Sequence, residues 1–241
     1  LEKKPDRPMG LQFRPMTTGE KLAGFEAIPW FGGIAGRPGE REEAEDVEEL
    51  LKRTDLTKDV TEYFLYEATD ALVRFANCKL DAVILLRILP DFYQQSSQLA
   101  MLEKVFSDQG LSKDKLLLTV PESAILNATK GRQEILQRYL RNGLRMVLDG
   151  FHPGAVSPET LAEYGFTLVH FAPDLVMQPE TAEAIKDLRS RGITVLGGGA
   201  DSHEILEWLG NCGCLLGSGT VTGALCGEDD MIRLALAREQ E

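Results

Sequence analysis

Cysteine is scarce in this chain, and the few present fall into no framework. Four occur in 241 residues: Cys78, Cys212, Cys214 and Cys226. Cys212-Gly213-Cys214 lacks the paired C-x2-C spacing of a structural zinc site, so all four read as small buried thiols of a reducing cytoplasm. Basic charge is short as well. The 26 Lys+Arg stand against 38 Asp+Glu, a net charge of -12 that repels a polyanion and argues against nucleic-acid binding through a basic face. No uninterrupted apolar run approaches the ~20 residues of a membrane span. Internal repeats and low-complexity tracts are missing too. The opening Leu1-Glu2-Lys3-Lys4-Pro5 holds no methionine and no apolar signal core. This predicts a linker over residues 1–10 in a segment of a longer protein, and one folded domain over 11–241.

What is present is a globular composition, 43% hydrophobic and 27% charged. A chain of this length buries roughly three quarters of its unfolded surface in one core and needs no disulfide or metal staple. Short apolar runs alternate with longer amphipathic stretches. Strands are expected at Leu11–Arg14, Leu22–Ile28, Ala82–Leu86, Leu116–Val120, Arg145–Leu148, Leu168–Phe171, Ile193–Leu196 and Cys214–Leu216. The middle ones are nearly continuous in hydrophobicity, as parallel strands buried on both faces are. The first two are joined by Thr17-Thr18-Gly19-Glu20, a turn short enough for an antiparallel pair.

Helices are expected at Thr61–Phe75, Asp91–Phe106, Gln133–Arg141, Glu180–Ser190 and Glu204–Asn211. Ser157-Pro158 reads as an N-cap with proline at the first helical position, and Asp201 as the cap of a helix beginning at Ser202. Alternating strands and helices over this length predict an α/β barrel with an antiparallel first strand, ahead of an open doubly wound sheet. The one composition shift is Gly32–Glu49, a Gly/Pro-rich loop running into an acidic helix start.

In a barrel the site lies at the C-terminal ends of the strands. Those positions are Glu26, Arg87, Thr119 to Glu122, Asp149-Gly150, Phe171-Ala172-Pro173, Gly197–Asp201 and Gly217–Thr220. A two-metal hydrolase needs several converging carboxylates, and here Glu26 and Asp149 alone are clearly so placed.

The order of these motifs resembles the EAL domain, the cyclic di-GMP phosphodiesterase family, over residues 11–235. Phe25-Glu26-Ala27-Ile28 resembles the signature, Leu118–Ser123 the L-E-I-T-E-S segment and Leu148–Phe151 the L-D-D-F-G loop. Val169–Ala172 falls on K-I-D, Gly197–Asp201 on A-E-G-V-E, and Gly213-Cys214…Ser218-Gly219 on G-C…Q-G. The resemblance implies a (β/α)8 barrel, two divalent metals such as Mg or Mn, and a positioned water.

Carried over residue by residue, the resemblance also implies that this machinery is depleted. Glu26 and Asp149 survive as vestigial metal residues. The second aspartate of D-D is Gly150, and the glutamate of L-E-I-T-E-S is Thr119, though its neighbour persists as Glu122. No asparagine occurs between Leu80 and Ser97, where the family has one. The lysine and aspartate of K-I-D are His170 and Ala172; the two glutamates of E-G-V-E are Gly198 and Asp201; the late glutamine is Ser218. The family's two substrate contacts near the first strands align with Arg14 and Trp30.

The expected function is therefore a catalytically inactive EAL-like domain of bacterial cyclic di-GMP signalling, a protein-interaction or dimerisation module without a metal cofactor. A non-hydrolysing cyclic di-GMP receptor is the alternative, with Arg14, Trp30, Arg87, Gly198, Gly199, Ser218 and Gly219 as candidate ligand contacts. The glycine turns could cradle a phosphate through backbone N–H groups, but tight packing is their simpler reading. An active phosphodiesterase is the third reading. His170 reads as a half-buried histidine without an evident carboxylate neighbour, and His152 as an exposed loop residue. Family resemblance further implies a homodimer through Phe151–Thr160, insensitive here to Mg and to cyclic di-GMP because Gly150 breaks the link to the metal site.

Overall fold

The computed structural model describes residues 9–19, 21–31, 56–88, 92, 97–171 and 173–238. Strands β1 (Met9–Thr18) and β2 (Lys21–Phe31) form the expected antiparallel hairpin, paired from Met9↔Phe31 to Thr18↔Lys21 with a register shift between Met16 and Thr17. β1 starts inside the segment expected to be linker. The strands β3 (Val83–Leu86), β4 (Leu116–Pro121), β5 (Arg145–Phe151), β6 (Leu168–Phe171), β7 (Thr194–Gly197) and β8 (Leu216–Ser218) follow. They pair in sequence order into a closed barrel, which rules out the open sheet. From β2 to β8 every pairing is parallel, and β8 closes on β1 antiparallel through Met16↔Ser218.

Among the described residues the helices are α1 (Thr57–Asn77), α2 (Ser97–Gln109), α3 (Glu122–Leu126), α4 (Lys130–Arg141), α5 (Pro158–Tyr164), α6 (Pro179–Ser190), α7 (His203–Cys212) and α8 (Glu228–Arg238). None is long and apolar enough to cross a membrane. The helix expected from Asp91 is described from Ser97 onward. Residues 91 and 93–96, the loop and acidic run at 32–49, and residues 1–8 lie outside the described residues. Ser157 caps α5 as expected, accepting from Thr160 N at 3.1 Å. At α7 the cap is Ser202, accepting from Ile205 N at 3.2 Å, and not Asp201. Neither α3 nor α8 was expected: α3 has five residues, and α8 follows an acidic first turn with Met231, Ile232, Leu234, Ala235 and Leu236, apolar residues spread round the helix and not confined to one stripe.

Two cores result. One lies between strands and helices, where Phe75 of α1 packs at a tilt on Phe25 at 4.7 Å and Phe64 meets Phe31 edge to face at 5.5 Å. The other is a plug inside the barrel: Met16, Leu85, Leu117, Val147, Leu168, Leu196 and Leu216. Each comes from a different strand, and small Gly24 fills the β2 position, where a Cβ would run into Val83 and Met16.

Candidate functional site

Side chains along a strand alternate between faces, so the residue two places on from a plug residue also faces the barrel axis. Toward the C-terminal ends this rule selects Arg87, Thr119, Asp149, His170, Gly198 and Ser218. On β2 it selects Glu26, and on antiparallel β1 it selects Arg14, two places before Met16. Arg14 and Glu26 are direct cross-strand partners, as are Asp149 and His170. Eight positions thus form a polar ring on top of an apolar plug. Six of the nine residues expected at the site lie in it: Arg14, Glu26, Arg87, Asp149, Gly198 and Ser218. Trp30 lies on the same face of β2 four residues beyond Glu26, its indole packed over Gly10 of β1. Gly199 and Gly219 each follow a ring residue.

The ring's charges are matched internally. Glu26 Oε2 lies 3.8 Å from Arg14 Nη1. Asp149 Oδ1 accepts from His170 Nδ1 at 2.7 Å, and Asp149 Oδ2 lies 3.3 Å from Arg87 Nη2. A carboxylate cannot donate, so His170 carries its proton on Nδ1. Burial pushes the Asp149 carboxyl up, but the His170 hydrogen bond, Arg87 and the Gly150 backbone outweigh it and hold the group below the ordinary aspartate range. The imidazole is buried, and its Nε2 has no hydrogen-bond partner among the described residues. His170 therefore does have a carboxylate neighbour. The signal was available in the alternation, since both residues end consecutive strands on the inward face.

Around the ring, loops are tied down without help from the cleft. Gly150 sits at a bulge between β5 and β6 with φ 69°, and a Cβ there would meet nothing within 4 Å. Glycine takes this left-handed conformation freely, and the bulge turns Phe151 outward onto Phe171 at 5.3 Å. Glu122 at the start of α3 is buried and grips the next turn. Its Oε1 accepts from His152 N at 3.0 Å, and its Oε2 lies 3.1 Å from His152 Nδ1. His152 is thus half exposed but anchored.

The turn after β8 is also closed on itself. Gly219 N donates to Thr222 Oγ1, Thr220 N to Asp201 Oδ1, Val221 N to Ala200 O and Thr222 N to Gly219 O. Those hydrogen bonds hold the Asp201 carboxyl below its usual range. The backbone donors expected to cradle a phosphate there are already engaged, and a Cβ on Gly219 would run into the Ala200 backbone. Tight packing explains this glycine.

Among the described residues no group of three or more His, Cys, Asp and Glu side chains converges. Two divalent cations would bring four positive charges, whereas the ring offers two carboxylates already faced by two arginines. The donor set does not fit a two-metal centre. The four thiols are free, and burial pushes that of Cys214 up to about 12.

A model of the EAL domain matches residues 7–223. Among solved structures, the PaMucR phosphodiesterase in its c-di-GMP complex superposes with a TM-score of 0.81 at 17% identity, covering 93% of this chain and 100% of that one. The Xanthomonas citri FimX EAL domain, in complex with c-diGMP, gives 0.77 at 16% identity over 90% and 88%. The EAL domain of Mycobacterium smegmatis DcpA gives 0.75 at 14% identity over 95% and 98%. No curated protein matches the sequence.

Proposed function

The chain belongs to the EAL domain family, and we propose that it is a non-hydrolysing member, a regulatory protein-interaction or dimerisation domain of cyclic di-GMP signalling in the bacterial cytoplasm. One observation carries this reading. Both oxygens of Asp149 are engaged by this chain's own His170 and Arg87, and Glu26 faces Arg14. Asp149 therefore spends both oxygens on this chain's own side chains, and the arginine facing Glu26 disfavours a second positive charge there. That leaves too few carboxylates to hold two cations and orient a water. The domain works without a metal or other cofactor, and its role lies in its surface.

Its partners are other protein surfaces, including a second copy. Within Phe151–Thr160, His152 is anchored by this chain's own Glu122, and a homodimer through the segment forms independently of Mg²⁺ and of the dinucleotide. Light scattering across protein concentration tests this, and a monomer at every concentration refutes it. Incubation with cyclic di-GMP and Mg²⁺ or Mn²⁺ should give no linear dinucleotide. Steady turnover defeats the reading.

A second reading, a non-hydrolysing receptor, has its own support. Arg87 is 62% exposed at the rim, Trp30 lies on the inward face of β2, and two of the structural relatives were solved with c-di-GMP bound. Such a ligand would meet a guanidinium and an indole face, with Ser218, Gly198 and Gly199 below. Calorimetry with cyclic di-GMP, with and without divalent metal, separates the two. Metal-independent heat lost in R87A supports the receptor, and its absence supports the interaction domain.

A further inference from the structure

The mismatch between this ring and a two-metal centre has a steric cause that lies in two of its small inward members, Thr119 and Gly198. Arg87 follows β3 and reaches Asp149 on β5, so its guanidinium passes the intervening strand β4, whose inward residue is Thr119. On the other side, His170 lies against β7 at Gly198. A Cβ on Gly198 would come within 2.6 Å of His170 Nε2 and 2.9 Å of Cε1. The ring nitrogen facing that glycine has no polar partner among the described residues, so no hydrogen bond holds that edge of the imidazole. Its place there depends on the absent side chain and on the Nδ1 bond to Asp149.

We infer that Arg87 and His170 occupy the coordination space of Asp149, and that small residues at 119 and 198 are what admit them. Thr119, Gly198, His170 and Arg87 then form one interlocked set, and Gly198 is a positioning residue acting through His170. The inference rests on the non-hydrolysing reading but goes further, because it states which residues keep a cation out and that they act together. A carboxylate placed at 119 or at 198 alone meets an occupied site. It displaces Arg87 or His170 without gaining a metal.

A double-mutant cycle tests the steric half. Gly198 does not have the positive φ that would strain an alanine, so G198A reports contact and not backbone conformation. Expected is a clear drop in the urea unfolding midpoint for G198A in the parent and no further drop when G198A is added to H170A. In ¹⁵N spectra of the side chain, the Nδ1-protonated signature of His170 should be present in the parent and lost in G198A. Equal effects of G198A in both backgrounds overturn the inference. The cation half is read by Mn²⁺ binding, from paramagnetic resonance and from thermal shift. Parent, T119E and G198E should bind no Mn²⁺, whereas R87M/T119E/H170A/G198E should gain a saturable, EDTA-reversible shift. Mn²⁺ binding by the parent that D149A removes overturns the inference. Turnover of cyclic di-GMP by the parent, in contrast, defeats the functional reading whatever the cycle gives.

Discussion

The plug and the ring of this barrel are built by the same strands, one step of alternation apart, yet they are held by different forces. Every plug residue is buried to 8% exposure or less and has only apolar atoms to satisfy. Each is replaceable by another apolar side chain of similar volume. Ring residues hold one another by directed contacts: Asp149 to His170 and Arg87, Glu26 to Arg14, and Gly198 by yielding its volume to His170. Changing one changes what its neighbour can do. The barrel therefore persists while its site is rewritten, because the plug does not depend on the ring's chemistry.

Four measurements sharpen or break that contrast. The largest effect belongs to the plug. Leu117→Ala, at 2% exposure, should cost about 2–5 kcal/mol in urea unfolding. A cost under ~1 kcal/mol would mean that the plug is not the structural base. Next comes Asp149→Ala, which strands the buried Nδ1–H of His170 and unpairs Arg87. About 1–3 kcal/mol should be lost, with Asp149→Asn recovering part because its carbonyl oxygen still accepts. An Asn variant no better than Ala would place the contribution in charge alone.

The third measurement follows the Asp149 effect with pH. Its folded carboxyl titrates below the ordinary aspartate value. The resulting stability is present above the unfolded pKa, about 3.9, and is lost as pH falls through the folded value. The gap between parent and Asp149→Ala should therefore narrow on acidification below about pH 4. A gap that stays constant to pH 3 contradicts the cause given for the shift.

The smallest effect is local. Glu122→Ala removes the acceptor of His152 N, and about 1 kcal/mol should be lost. Amide exchange should quicken at His152 and stay unchanged at Val147 in the strand beneath. Uniform quickening would mean that Glu122 supports the whole barrel and not one turn.

Much of the fold could be read from the order of residues. Each of the eight expected strands overlaps one in the barrel, Leu168–Phe171 at both ends but Cys214–Leu216 by Leu216 alone, because short apolar runs between turn residues leave little other choice. The misses share a cause. Five-residue α3 is too short to write a period into the sequence, and the apolar residues of α8 are too evenly spread round the helix to do so. Asp201 was read as a local cap because capping signals are local, whereas its partner Thr220 lies nineteen positions away.

At the site, the sequence by itself determined composition: which strand ends carry acid, base or glycine, and hence that two carboxylates and two arginines belong to the ring. Strand alternation even placed them on one face. What only the tertiary structure decided was their pairing. Arg87 bonds to Asp149 across an intervening strand, and His170 leans into the volume that Gly198 leaves empty. Those contacts depend on barrel closure and on side-chain volume at positions far apart in the chain, and neither is written in any local stretch of sequence.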